Sequence, residues 1–503
     1  MLQLMYSFQG YTAPAEVIEA VRQGQIAAFC LFANNVQSPA QLRKLTHALH
    51  MAARNGGQLP PLIGIDQEGG QLMAVTGGAT ELPGNMALGA TNSPDLAQQV
   101  GRVLARELRA MGCNLNFAPV LDLNSNPDNP VIGVRSFGDD PSRVAELGAA
   151  LIAGMQAEGV MATAKHFPGH GDASGDSHYT MPSVNRSAAA LLDEDLRPFR
   201  RAVVEGVGAI MSAHVVYSAF DAERPATLSP RILTGLLREE MGYDGLVITD
   251  AMDMQAVSVL GAEASVRAAL EAGADLVLLG HLPGQLALSQ QLQTVEQGAA
   301  LDRIRRARER LPDEFLPLDV VGCEEHQQVA RAVAQASITV ARDDGRLPLR
   351  LNESVRIVVI TAAPADLTPA DSSSSVSVQL AEAVRKRHGH TIALQLPRGA
   401  GDAAVRGALQ AAESAEVVVV GTINADQDVG QAELVRALLA RGQQPIVIAL
   451  RHPYDVRAFP HVATYLCTYS IRSVSTEAAV GVLFGEIVPQ GKLPCRVPGI
   501  APQ

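Results

Sequence analysis

VMATAKHFPGHGDASGDSHYTMP (160–182) divides into two kinds of chain. VMATA (160–164) is a short apolar run, the length of a buried strand and too short for a helix. The rest, Lys165 to Pro182, gathers His166, His170, His178, Asp172 and Asp176 around Gly169, Gly171 and Gly175. Glycine lets a loop turn sharply without steric cost. Titratable groups on a glycine-rich loop at the end of a buried strand describe a reactive loop on a rigid scaffold, not a packing element.

Outward from this stretch the same unit recurs. Apolar runs at 2–8, 26–32, 62–66, 115–120, 160–164, 208–213, 246–249 and 274–280 read as strands. Amphipathic patterns near 14–24, 38–54, 95–111, 141–158, 187–205, 229–241 and 261–272, and another from about 284, read as helices. Eight strand–helix units in some 300 residues specify a (β/α)8 TIM barrel. Asp66, Asp122, Lys165, His166, His214, Asp250 and His281 all fall at or just beyond strand C-terminal ends. That is the reactive face of such barrels, and a single helix cap does not account for so many polar residues on one rim.

The pattern breaks after the barrel. RIRRARERLPDEFLPLDVVG (303–322) runs from a basic helix end into a proline-bearing segment, and CEEHQQVARAVAQASI (323–338) reads as a connecting helix. Strands at 355–361, 391–396, 416–421, 445–450 and 463–469 alternate with helical patterns and describe a smaller, open, mostly parallel α/β sandwich domain. The expected division is a barrel over 1–310, a linker and connecting helix over 311–350, and the sandwich over 351–503. GTINADQDVG (421–430), after one of these strands, matches no phosphate-binding loop.

A net charge of −12 disfavours nucleic acid or an anionic membrane as partner. No apolar run approaches the ~20 residues of a membrane span, and MLQLMYSFQG (1–10) lacks the pattern of a signal peptide. The five cysteines are widely spaced without metal-ligand spacing, which fits a reducing, cytoplasmic setting. Tryptophan is absent, which argues against a long polysaccharide groove paved with indoles but not against a pocket for one sugar.

Asp250 closes the strand LVIT (246–249), where a carboxylate is held rigidly toward the pocket as a nucleophile must be. Asp176 and His178 are two apart, so an extended stretch turns both to one face. A carboxylate on one imidazole nitrogen leaves the other to give and take a proton, and histidine's ordinary pKa of about 6.5 suits both roles. Lys165 and His166 can donate to ligand hydroxyls, Asp66 can accept two from a vicinal diol, and Arg135 can clamp an amide oxygen or hydroxyl. Glu68 reads as a support for its loop rather than a ligand contact. The glycine-broken histidine loop does not preset a metal geometry, so metal catalysis is disfavoured and no cofactor is expected.

GIDQEGG (64–70), NFAPVLDLN (116–124), NPVIGVRSFG (129–138), KHFPGHGDASGDSHYTMP (165–182), IMSAHVVY (210–217), PATLSP (225–230) and GLVITDAMDM (245–254) resemble glycoside hydrolase family 3, in its β-N-acetylhexosaminidase branch. ASITVARDDGRLPL (336–349) and QGKLP (490–494) resemble the ends of that family's accessory sandwich. The resemblance implies a retaining hydrolase that removes terminal β-linked N-acetylglucosamine from a muropeptide or chitin-type oligosaccharide. It implies Asp250 as nucleophile, His178 as acid/base oriented by Asp176, and Asp66, Arg135, Lys165 and His166 as sugar-binding residues. Gln71 departs from the arginine common after the double glycine. Phosphorolysis of the same linkage, a β-glucosidase, and a non-catalytic sugar-binding protein are the competing readings. The accessory domain need not supply the acid/base, because His178 lies on a barrel loop.

Overall fold

The structure, a computed structural model, describes residues 2–292, 298–312 and 314–501. Eight parallel strands form the first domain: β1 (Leu4–Tyr6), β2 (Ala28–Leu31), β3 (Leu62–Ile65), β4 (Leu115–Asn116), β5 (Met161–Phe167), β6 (Ala209–Ser212), β7 (Leu246–Thr249) and β8 (Val277–Leu278). From β1 to β7 each pairs with the next in chain order, and β8 pairs with β1. An Ile248–Leu276 bridge joins the remaining edges and closes the TIM barrel.

The period-2 pattern explains its two cores. Ala28, Cys30, Ala209, Met211, Leu246 and Ile248 point into the barrel and pack with Phe117. Their neighbours Phe29, Leu31, Ile210 and Val247 point outward beneath the helices. Helix starts are written just as locally. Ser38, Ser93 and Asp140 each precede a proline and accept from first-turn N–H groups of Pro39–Asn55, Pro94–Ala110 and Pro141–Ala157. The helix expected at 229–241 is Arg231–Glu240, wound in the wider π form. The one expected from about 284 begins as Gln285–Gln291, and 293–297 lie outside the described residues. The short helix Asn85–Thr91 has no counterpart in the sequence reading.

The second domain is one six-stranded sheet: β9 (Thr339–Arg342), β10 (Ile357–Ala362), β11 (Thr391–Leu396), β12 (Val417–Thr422), β13 (Ile446–Ala449) and β14 (Thr464–Cys467). Its order is β9-β14-β13-β12-β10-β11, parallel except for β9 against β14. β9 falls inside the stretch read as linker. Its four residues, TVAR, carry little apolar signal because an edge strand is only half covered. Helix Glu324–Ser337 packs against barrel helices Asn85–Thr91 and Pro94–Ala110 and against Ser473–Leu483 of the second domain. Its His326 meets the buried Glu107 carboxylate at 2.9 Å.

Candidate active site

β5 runs three residues beyond the apolar run that announced it, so Lys165 and His166 sit on the strand itself. Both are buried. Lys165 Nζ lies 2.6 Å from Asp66 Oδ1 and 2.7 Å from Glu68 Oε1. Arg135 presents its fork to the same Glu68, with Nε donating at 3.0 Å and Nη2 at 2.9 Å, while Nη1 donates to the Val131 carbonyl. Burial pushes the Glu68 carboxyl up, but Arg135 and Lys165 outweigh it and hold it at about 2. Glu68 is therefore an anionic keystone between two cations, and the support role read from the sequence extends to the cationic side chains themselves. Burial works against the charge of Lys165 too, and Asp66 and Glu68 more than offset it.

His166 is fixed from the other side. Its Nδ1 lies 2.7 Å from Asp122 Oδ2, and its backbone N–H donates to Asp122 Oδ1 at 3.1 Å. The N–H of His170 donates to the same oxygen at 2.7 Å. Asp122 thus turns the chain at the end of β5 and sets the His166 ring orientation, leaving its Nε2 side toward the pocket. Burial pushes the His170 imidazole down to about 4, so it is a neutral strut, 3.3 Å from the Ser177 hydroxyl.

The glycine-rich loop then passes so close to Leu123 that a Cβ on Gly171 would stand 1.5 Å from the Leu123 carbonyl oxygen; only glycine fits. At its tip Asp176 Oδ1 accepts from the His178 backbone N–H at 2.9 Å and meets His178 Nδ1 at 2.6 Å. The expected pairing of these two side chains is present. Burial raises the Asp176 carboxyl, but its bonds to His178 prevail and lower it. The tip rests on the segment after β7 through long bonds of 3.4 Å, from Gln255 N–H to the His178 carbonyl and from Ala256 N–H to the Ser177 carbonyl.

Asp250 follows β7, its Oδ1 accepting from the Ala251 N–H at 2.8 Å. Burial pushes its carboxyl up, but the imidazoles of His214, His166 and His178 with the Ala251 N–H bring it down to about 2. His214 is spent within the wall, between Thr227 Oγ1 at 2.8 Å and the Ala251 carbonyl at 3.0 Å. His281 stacks on Phe32 and lies 3.4 Å from Asp253.

Asp66, Arg135, Lys165, His166, His178 and Asp250 all line one cavity of about 520 Å³, within the range of a small-molecule site. Asp176 stands behind His178. The sequence reading missed the fourth wall, Pro369–Ser372 from the second domain. Gln71 holds it: its side-chain amide donates to the Ala370 carbonyl at 3.0 Å, and its own carbonyl accepts from Ser372 N–H at 3.0 Å. The departure at position 71 is thus a contact between domains. The buried guanidinium nearby comes instead from Arg472, which donates to the Gly70 carbonyl at 2.9 Å. Four consecutive small residues, SSSS at 372–375, carried no signal of this packing.

Residues 3–312 match the glycosyl hydrolase family 3 N-terminal domain and residues 339–502 its C-terminal domain. The chain is 37% identical over 383 residues to β-hexosaminidase A of Pseudoalteromonas piscicida, covering 68% of this chain and 64% of that protein. It is 40% identical over 287 residues to a β-hexosaminidase of Alkalilimnicola ehrlichii, covering 56% of this chain and 81% of that one. The solved structure of a family 3 β-N-acetylglucosaminidase from Paenibacillus sp. FPU-7 is 33% identical with a TM-score of 0.92, over 99% of this chain and 98% of that one.

Proposed function

The chain belongs to glycosyl hydrolase family 3 and is an enzyme of the β-N-acetylhexosaminidase kind, and we propose that it releases terminal non-reducing β-N-acetylglucosamine with retention of configuration. One observation carries the assignment of roles. A histidine with its Nδ1 tied to a carboxylate at 2.6 Å shares a pocket with a strand-tip carboxylate held at about 2. The first is an acid/base and the second a permanently ionised nucleophile.

The reaction is a double displacement. Asp250 attacks C1 while His178, protonated at Nε2, gives that proton to the leaving oxygen. A glycosyl–aspartate ester forms and the aglycone departs. The now neutral His178 takes a proton from water, whose oxygen attacks C1 and frees Asp250. Asp176 holds the ring and offsets its positive charge in the protonated state. Asp66 accepts sugar hydroxyls, Lys165 and His166 donate to them, and Arg135 reaches the ligand with what its bonds to Glu68 leave free. The barrel over 1–310 carries this chemistry, and the sandwich over 351–503, joined through 311–350, contributes one wall. Muropeptides or chitin-type oligosaccharides in the cytoplasm are the proposed substrates. Among the described residues no helix is long and apolar enough to cross a membrane.

The test is cleavage of 4-nitrophenyl β-N-acetylglucosaminide beside the matching β-glucoside, each with and without phosphate. Preference for the N-acetyl sugar with free N-acetylglucosamine as product is expected. A phosphate-dependent sugar 1-phosphate product would replace hydrolysis with phosphorolysis, and preference for the glucoside would move the chain to another branch.

A further inference from the structure

GTINADQDVG (421–430), left unmatched above, runs off the C-terminal end of β12, and RHPYDV (451–456) runs off the end of its neighbour β13. Ligands of open α/β sheets gather at those strand ends. Asp426 comes from the first loop, and His452 and Asp455 from the second. One ligand atom from each lies within 4.8 Å of the others. All three side chains are more than nine-tenths buried.

Each carboxylate has one oxygen engaged and one not. Asp455 Oδ1 accepts from the Ala425 N–H at 2.8 Å, and Asp426 Oδ2 takes the Arg457 guanidinium. Asp455 Oδ2, Asp426 Oδ1 and both ring nitrogens of His452 have no hydrogen-bond partner among the described residues. The closest approaches, His452 Nε2 to Asp426 at 3.6 Å and Nδ1 to Asp455 at 3.7 Å, are too long for hydrogen bonds. An ion takes only one of these two ring nitrogens, and the three ligand atoms lie within 4.8 Å of one another, so the side chains close by no more than about 1.5 Å to reach the roughly 3.3 Å edge of a tetrahedral zinc shell with ~2.0–2.1 Å bonds. Leaving so many buried polar atoms unmatched is costly unless something binds them.

We propose that Asp426, His452 and Asp455 bind a divalent transition-metal ion, zinc foremost, with a water as fourth ligand. One imidazole and two carboxylates make a borderline donor set that suits zinc better than calcium, which takes six to eight oxygens. Two carboxylates face the ion, and Asp426 shares its charge with Arg457. The buried His452 ring, with neither nitrogen hydrogen-bonded among the described residues, has a lone pair to offer, as a ligand must. The site is structural. Arg451, beside His452, forms an ion pair with Asp371 of the pocket wall at 2.8 Å, and Arg457 reaches Asp128 of the barrel at 2.9 Å. The ion braces the loop that holds both.

The experiment titrates zinc into the chelator-stripped full chain, read by calorimetry and thermal unfolding, beside His452→Gln and His178→Gln. One site is expected, with a Tm rise of several degrees at roughly a hundredfold excess over Kd. The site survives in His178→Gln and is lost in His452→Gln. No uptake by the unmodified chain, or equal uptake in His452→Gln, overturns the proposal. Should His452→Gln fail to fold, anomalous scattering at the zinc edge from crystals of the unmodified chain decides. A peak among the three side chains upholds it; a lone water there, or a peak only in the barrel pocket, overturns it.

Discussion

The barrel pocket holds two histidine–carboxylate pairs of nearly equal length, His166–Asp122 at 2.7 Å and His178–Asp176 at 2.6 Å, and they are built for different work. Asp122 is wholly buried and bonded to two backbone N–H groups as well as the ring, so His166 is set by the strand that bears it. Asp176 and His178 belong to one short turn, with the imidazole 22% exposed and long bonds docking the turn, two of 3.4 Å to the segment after β7 and one of 3.3 Å from Ser177 to His170. The difference teaches that a dyad's distance does not define its role. A ring fixed by the scaffold orients a ligand, whereas a ring carried on a loop can approach and withdraw as its proton moves.

The sharpest break in this contrast is chemical. Asp250→Asn removes the proposed nucleophile from the rigid half, and turnover of 4-nitrophenyl β-N-acetylglucosaminide is expected to fall on the order of 10⁴-fold or more while the chain stays folded by circular dichroism. His178→Ala removes the proposed acid/base on the loop. Turnover of an alkyl glycoside, whose leaving group needs the proton, falls about 10²–10⁴-fold. Release of 4-nitrophenol falls far less, and Tm stays close to that of the parent. Equal losses on both substrates would deny His178 the acid role.

Glu68→Gln strikes the rigid half without touching the reacting atoms. It leaves Arg135 and Lys165 as buried cations short of a partner, and stability by urea unfolding falls by about 3–5 kcal/mol. The same change alters acid unfolding. Glu68 is depressed to about 2 in the fold, so its contribution is present above the unfolded value near 4 and is lost as pH falls through about 2. Stability of the parent therefore drops between pH 4 and 2, and the variant drops less steeply there. Smallest is Gln71→Ala, which removes one amide bond to the second-domain wall. About 1 kcal/mol is at stake, read as a KM increase of tenfold or less with kcat little changed.

Legibility in the sequence follows the same division. Apolar runs, strand-tip polar residues and Ser-Pro or Asp-Pro helix starts are local signals, and they expose the barrel, its rim, and the Asp176–His178 pair two residues apart. What stayed hidden is assembled from afar. Glu68 between Arg135 and Lys165 joins three separate segments, Ala370 meets Gln71 across 299 positions, and Asp426 finds His452 only through sheet pairing. No spacing rule reports such meetings. Edge strand β9 stayed hidden for the opposite reason, since four half-covered residues carry too little pattern.

The central claim is that the strand-borne carboxylate, and not the loop, bonds to the sugar. It is tested by mass spectrometry of the protein trapped with a 5-fluorinated N-acetylglucosaminyl substrate, whose electron-poor ring slows both displacements. The account predicts one added sugar on the proteolytic peptide that carries Asp250, absent in Asp250→Asn. An adduct on another residue, or steady turnover of that substrate by Asp250→Asn, would contradict it.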